Sequence, residues 1–151
     1  MPSVRVNKEL NEGLYFLTFT VKNWYYLFDR FGRWNILLES LKFCQQKKGL
    51  KIYSWVFMIN HLHLLVFSED VIGFARDFKR FTSGEFRKNI LTHEPNVLDI
   101  FRGKDTGDYK FWHKTNMPEL IESDKFFGQK KNYIEDNPVR RLYVQKAEDW
   151  I

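Results

Sequence analysis

Between residues 15 and 22 the apolar positions Tyr15, Leu17, Phe19 and Val21 alternate with Phe16, Thr18, Thr20 and Lys22. A period of two in strand-forming residues predicts a first strand. After an aromatic loop containing Gly32, the positions Trp34, Leu37, Leu38, Leu41 and Cys44 recur at helical spacing, and Gly49 stands as a stop after Lys47-Lys48. Residues 51–58 read as a second strand, Ile59-Asn60 as a tight turn and residues 62–67 as a third strand, so the three form a hairpin. From residue 71 to about 91, Phe74, Ala75, Phe78, Phe81, Phe86 and Ile90 keep one stripe, with Arg76, Lys79, Arg80, Arg87 and Lys88 elsewhere on a basic amphipathic helix. Residues 93–110, holding Pro95, Gly103 and Gly107, are expected to form a loop leading into an aromatic strand at Phe111-Trp112. Ser123 or Asp124 then caps a last helix that Pro138 ends after Asn137.

The predicted order is β-α-β-β-α-β with an extra C-terminal helix. That is an α+β, ferredoxin-like split βαβ plan, with an antiparallel sheet carrying helices on one face. The other face is expected to be open, where such folds often handle single strands of nucleic acid. Length supports a single domain over residues 1–151, since the chain is too short for two full-sized ones.

Composition narrows the function. The chain is 44% hydrophobic and 28% charged without a long apolar run, so no membrane span is expected. The first residues lack the apolar core of a secretion signal, and the one cysteine, Cys44, can form neither an internal disulfide nor a cysteine-rich zinc site. A cytoplasmic, nucleoid-associated protein is the expectation. Lys and Arg outnumber Asp and Glu by 24 to 19, and 18% of residues are aromatic. Basic charge attracts phosphates and aromatic faces stack on unpaired bases.

The chemistry concentrates in Asn60-His61-Leu62-His63-Leu64-Leu65-Val66. On a strand, His61 and His63 share one face while Leu62, Leu64 and Val66 share the other. Two imidazoles so placed are a preformed pair of metal ligands, although two hydrogen-bonded histidines without a metal fit the same pattern. On the last helix Tyr133 and Asn137 stand one turn apart on one face. If that helix crosses the sheet beside the third strand, Asn137 becomes a third, oxygen ligand and Tyr133 reaches a phosphate bound to the ion. A half-buried tyrosine anchoring the helix is the plainer alternative.

Taken together, the H-x-H hairpin, the basic helix with Phe78-Lys79-Arg80-Phe81-Thr82-Ser83, the Phe111-Trp112 segment and the run Tyr133-Ile134-Glu135-Asp136-Asn137-Pro138-Val139-Arg140 resemble the HUH single-tyrosine transposases. The likeness is to the branch of REP-associated tyrosine transposases and transposase-like proteins, and it extends in order and spacing from Tyr15 to Val144. It implies metal-dependent cleavage and rejoining of single-stranded DNA through a 5′-phosphotyrosine, with no need of ATP, on a palindromic hairpin substrate. The family's paired histidines match His61 and His63, its nucleophile Tyr133 and its amide ligand Asn137. The sequence departs from the family where Ile59 replaces a proline and where Arg140-Arg141-Leu142 replaces Arg-Ala-Gly.

Magnesium or manganese suits two imidazoles and an amide oxygen acting on phosphate. Zinc ranks behind them, needing a third ligand such as His113 or Glu122. Lys79, Arg80, Arg87, Lys88, Trp112 and Lys130 are the candidate DNA contacts, Trp112 by stacking and Lys130 from one turn before Tyr133. Two rival functions remain: a non-catalytic, domesticated single-strand DNA or RNA binder, and a hydrolytic metallonuclease that uses water. The pattern is compatible with cutting by a monomer and by a homodimer.

Overall fold

The computed structural model describes residues 5–103 and 107–140. Its elements are β1 (Gly13–Thr20), α1 (Arg33–Lys47), β2 (Lys51–Phe57), β3 (His61–Ser68), α2 (Val71–His93), β4 (Glu119–Leu120) and α3 (Asp124–Arg140). The strands form one sheet in the order β2-β3-β1-β4, every neighbouring pair antiparallel. This is the ferredoxin-like split βαβ arrangement expected from the alternating pattern, with α3 added after it. Arg141, Leu142 and Val144, which belong to the family-like run, lie outside the described residues.

The two-residue turn at Ile59-Asn60 closes with Met58 N–H donating to the His61 carbonyl at 2.8 Å. It sets the register of β3 in the middle of the sheet, pairing His61 with Thr20 and His63 with Thr18 of β1. Because side chains alternate, Leu62, Leu64 and Val66 enter the main core with Tyr15, Leu17 and Phe19 beneath α1 and α2. His61, His63 and Leu65 consequently face the opposite way.

That opposite face is not open, which corrects the expectation of helices on one side alone. α3 lies across β2 and β3. Ile134 joins Phe16, Val56, Met58, Leu65 and Ile121 in a second, smaller core, flanked by Phe126 and Phe127. Leu65 and Met58 are fully buried, and leaving two such side chains bare would forfeit roughly 1.5–3 kcal/mol each, enough to require the cover.

Four further differences have local causes. Phe81 is 50% exposed, while Thr82 is fully buried in its place. The inward row of α2 steps by four residues through Phe74, Phe78, Thr82, Phe86 and Ile90, and the Thr82 hydroxyl is satisfied by donating to the Phe78 carbonyl at 2.7 Å. Within the expected loop, Pro95–Phe101 forms a 3-10 helix that starts on Pro95. Phe111-Trp112 is not a strand but makes a single bridge from Trp112 to Val21, and the fourth strand lies further on at Glu119–Leu120. The whole segment follows the β1 edge, with a two-residue register slip at Asn116-Met117, where Met117 has φ 45° ahead of Pro118. Last, α3 continues through Pro138 to Arg140. Proline there removes one backbone donor in the final described turn. Ser123 caps the other end, its Oγ accepting from Phe126 N–H at 3.1 Å.

Candidate active site

The hairpin delivers its two imidazoles side by side. The rings of His61 and His63 lie 5.0 Å apart between centroids at 77°, and the residues are only 7% and 5% exposed. Each Nδ1 has a defined partner: Asn60 Oδ1 at 2.8 Å for His61 and Thr18 Oγ1 at 2.8 Å for His63. An amide oxygen can only accept, so His61 donates from Nδ1 and its Nε2 carries the lone pair. Hydrogen bonds of this kind fix the tautomer and orientation of metal-binding histidines. An imidazole bound through Nε2 places an ion about 3.2 Å from the ring centroid, so two ligands at about 90–110° need centroids about 4.5–5.3 Å apart. The observed 5.0 Å falls within that range.

α3 brings Tyr133 to the same place. Its ring meets that of His63 at 5.2 Å and 78°, and that of Phe16 at 5.8 Å and 86°, while Phe16 stacks on His63 at 5.2 Å. Tyr133 nevertheless remains 40% exposed. Asn137, one turn later, is 3% exposed. Among the described residues no group of three or more His, Cys, Asp or Glu side chains could hold a metal. Neither His113 nor Glu122 therefore completes a zinc site with the histidine pair, which corrects that alternative. Two imidazole nitrogens and an amide oxygen, the donor types expected from His61, His63 and Asn137, would suit a magnesium- or manganese-type ion better than zinc.

Lys130 lies one turn before Tyr133. Its ammonium pairs with Glu119 of β4 at 2.9 Å and sits 4.6 Å from the Phe16 ring centroid, 5.4 Å from that of Phe126 and 5.7 Å from that of Tyr133. The salt bridge ties α3 to the edge strand while keeping a cation beside the phenol.

A basic groove of about 950 Å³ runs along the edge of the sheet, lined by Arg5, Lys22, Lys79, Arg80, Lys110 and Lys114 over Tyr109, Phe111 and Trp112. It adjoins the histidine pair through the backbone. His113 N–H donates to the Thr20 carbonyl at 2.8 Å, and Thr20 pairs with His61. Of the predicted contacts, Arg80 lines this groove, and Arg87 stacks over Tyr109 at 4.8 Å. Lys88 pairs with Glu85 at 3.3 Å on the outer side of α2. Trp112 is corrected as a stacking surface. It is 7% exposed, with Nε1–H donating to Thr82 Oγ1 at 3.0 Å and its rings among Phe19, Phe28, Phe78 and Phe86.

Lys79 has a different task from its neighbours. Its ammonium donates to the carbonyls of His113 at 2.9 Å and Lys114 at 3.2 Å, clipping the groove wall to α2. Burial pushes its pKa down to about 8 from 10.5. Between those values the unfolded chain holds a proton that the folded chain has released, so this group's penalty on folding is relieved as pH rises through the window. Relative to Lys79→Met, the urea midpoint of the wild type is expected to rise from pH 8 to pH 10. Parallel midpoints across that range would show that the ammonium is not desolvated.

Sequence reasoning missed Trp24, the most exposed of the large apolar side chains described, at 65%. Asn23 and Trp24 both have left-handed backbones, φ 61° and 52°, a conformation that disfavours a residue with a Cβ by about 1–2 kcal/mol. The turn is held by Asn60 Nδ2 donating to the Trp24 carbonyl at 3.0 Å and by Asn23 Nδ2 donating to the Ile100 carbonyl at 3.4 Å. The indole meets the His113 ring at 4.7 Å and 86°. Asn60 thus binds the Trp24 turn with its amide nitrogen and orients His61 with its amide oxygen. Three aromatics in a row, Trp24-Tyr25-Tyr26, were the only signal in the sequence, and they read equally well as core.

No protein-family model and no curated protein matches the chain. Solved structures do. A REP-associated tyrosine transposase bound to a REP hairpin superposes with a TM-score of 0.70 at 17% identity, over 99% of this chain and 80% of that one. A protein from Deinococcus radiodurans assigned as a transposase superposes with a TM-score of 0.54 at 16% identity, over 87% of this chain and 95% of that one. The fold is shared across nearly the whole chain.

Proposed function

We propose that this chain is a metal-dependent DNA strand transferase that cuts and rejoins single-stranded DNA through Tyr133. The observation that carries the reading is the convergence of a part-exposed tyrosine from α3 with two oriented imidazoles from β3, 5.2 Å between the Tyr133 and His63 rings. A phosphoryl-transfer site needs a nucleophile, charge stabilisation and a positively charged approach; Tyr133 and the histidine pair would supply the first two, and the basic groove along the β1 edge the third. The hairpin bound by the REP-associated relative makes a palindromic hairpin the substrate of choice here.

In this scheme Tyr133 Oη bonds to a backbone phosphorus and the bond to the 3′ oxygen breaks. The phenol loses one proton and the departing 3′ oxygen gains one. The product is a 5′-phosphotyrosine and a free 3′-OH. A second 3′-OH reverses the sequence and rejoins the strand, so bond energy is conserved. His61, His63 and Asn137 would hold a divalent cation, with manganese or magnesium preferred. Such an ion supplies Lewis-acid polarisation of the phosphate when bound. Phe16 fixes His63 by stacking and Tyr133 by an edge contact, so nucleophile and ligand keep one relative geometry. Lys130 adds positive charge beside the attacked phosphate, and the groove from Lys22 to Lys114 draws in the flanking backbone. Among the described residues no helix is long and apolar enough to cross a membrane. A single domain in a cytoplasmic, nucleoid-associated setting, acting as a monomer or as a homodimer, is the accompanying proposal.

The test is chemical. A DNA hairpin with a single-stranded flank, incubated with the protein and Mn²⁺, is expected to give a protein–DNA adduct that survives denaturation and disappears with EDTA. Cleavage without adduct would favour a hydrolytic nuclease, and binding without cleavage a domesticated binding protein.

A further inference from the structure

The geometry points to Trp24 as a stacking platform for an unpaired base of the DNA strand beside the cleaved phosphate, an inference that rests on the single-strand DNA reading above. Trp24 is large, 65% exposed and held on a left-handed backbone. An exposed indole whose turn is kept in a disfavoured conformation by hydrogen bonds to two other segments, at Asn60 and Ile100, is a presented surface, not a loose one. Its position is specific. From its carbonyl the contacts run through Asn60 to His61, from His61 to His63, and from His63 to Tyr133. A base on Trp24 therefore lies within a few nucleotides of the phosphate that Tyr133 would attack.

The surroundings favour a nucleobase over an apolar protein partner. Lys22 is two residues away, and Lys110 and Lys114 line the groove on either side of His113, the ring against which the indole leans. Cations for the backbone alternating with an aromatic face for the base is the pattern of single-strand recognition, and stacking tolerates any base sequence. Duplex DNA has no base to offer, so Trp24 would distinguish an unpaired flank from a blunt hairpin.

The experiment compares a blunt hairpin with the same hairpin carrying a single-stranded flank, in which 2-aminopurine occupies each flank position in turn. Wild type is expected to bind the flanked form and to quench the fluorophore at one or two adjacent positions. Trp24→Leu should lose that quenching and bind the flanked form about 5- to 100-fold more weakly, with blunt-hairpin binding within about twofold of wild type. Trp24→Tyr should restore most of both. Any residue at 24 keeps the carbonyl that Asn60 binds, so loss through disturbed His61 would not be rescued selectively by Tyr. As a readout needing no variant, 5-iodouracil in the flank should photocrosslink to Trp24, located by mass spectrometry. Unchanged quenching in Trp24→Leu, or crosslinks only elsewhere, would overturn the stacking role while leaving the strand-transfer reading intact. Failure of the wild type to bind either DNA would overturn both.

Discussion

Tyr133→Phe is expected to abolish the covalent protein–DNA adduct and to lower strand cleavage by about 10³-fold or more, with hairpin binding nearly unchanged. The size follows from losing the nucleophile itself, since residues that act as a unit in covalent catalysis are lost together with any one of them. Binding survives because the aromatic ring stays: its contacts with His63 at 5.2 Å and Phe16 at 5.8 Å are ring contacts that phenylalanine repeats. Removing one oxygen from a residue already 40% exposed leaves the second core around Ile134 undisturbed. Denaturing electrophoresis of labelled DNA reads the adduct, and a filter or gel-shift assay reads binding. Full cleavage activity in the Phe variant would make water the nucleophile and reduce Tyr133 to an aromatic support for His63.

The site was legible wherever a periodic element carried its residues. Alternation along β3 is a strict geometric rule, so His61 and His63 on one face and Leu62, Leu64 and Val66 on the other followed from sequence alone. The same held for Tyr133 and Asn137, four residues apart on a helix. What local pattern does not contain is where irregular chain goes. The fourth strand was misplaced because Phe111 and Trp112 are strong strand formers, yet they serve the main core through one bridge and the Trp112–Thr82 hydrogen bond. Thr82 itself was hidden, because a threonine in an apolar row looks like an interruption until its hydroxyl partners are seen. Lys79 read as one more phosphate-binding cation, and its backbone-clipping role depends on carbonyls more than thirty residues later. Trp24 was silent for the same reason: its exposure is decided by Asn60 and Ile100, far from it in the chain.

Arg33→Met is expected to destabilise the fold by about 3–5 kcal/mol, the range for stripping one partner from a buried ionic cluster. Arg33 opens α1 and is fully buried. A cation in the first turn of a helix opposes the helix dipole, so local preference does not account for it. Its partners do. Nε donates to Asn89 Oδ1 at 3.0 Å, one terminal nitrogen to the Leu27 carbonyl at 3.2 Å and the other to Glu94 Oε2 at 3.1 Å. Asn89 in turn donates to the Phe31 carbonyl at 2.9 Å, and the guanidinium carbon sits 5.2 Å from the Phe31 ring centroid. One side chain thus ties the loop between β1 and α1 to the start of α1 and the C-terminal end of α2, and that loop also carries Trp24. Methionine matches much of the volume but leaves an amide oxygen and a carbonyl without this donor, and leaves the Glu94 carboxylate, among the described residues, with Arg30 at 3.5 Å. Lysine keeps the charge without the planar fork and should recover a minority of the loss. Adding Glu94→Gln to Arg33→Met should restore stability relative to the single variant, because it removes the under-compensated charge. Urea denaturation of the four proteins measures all three differences, and a single-variant loss below about 1 kcal/mol would mean that water replaces the guanidinium without penalty.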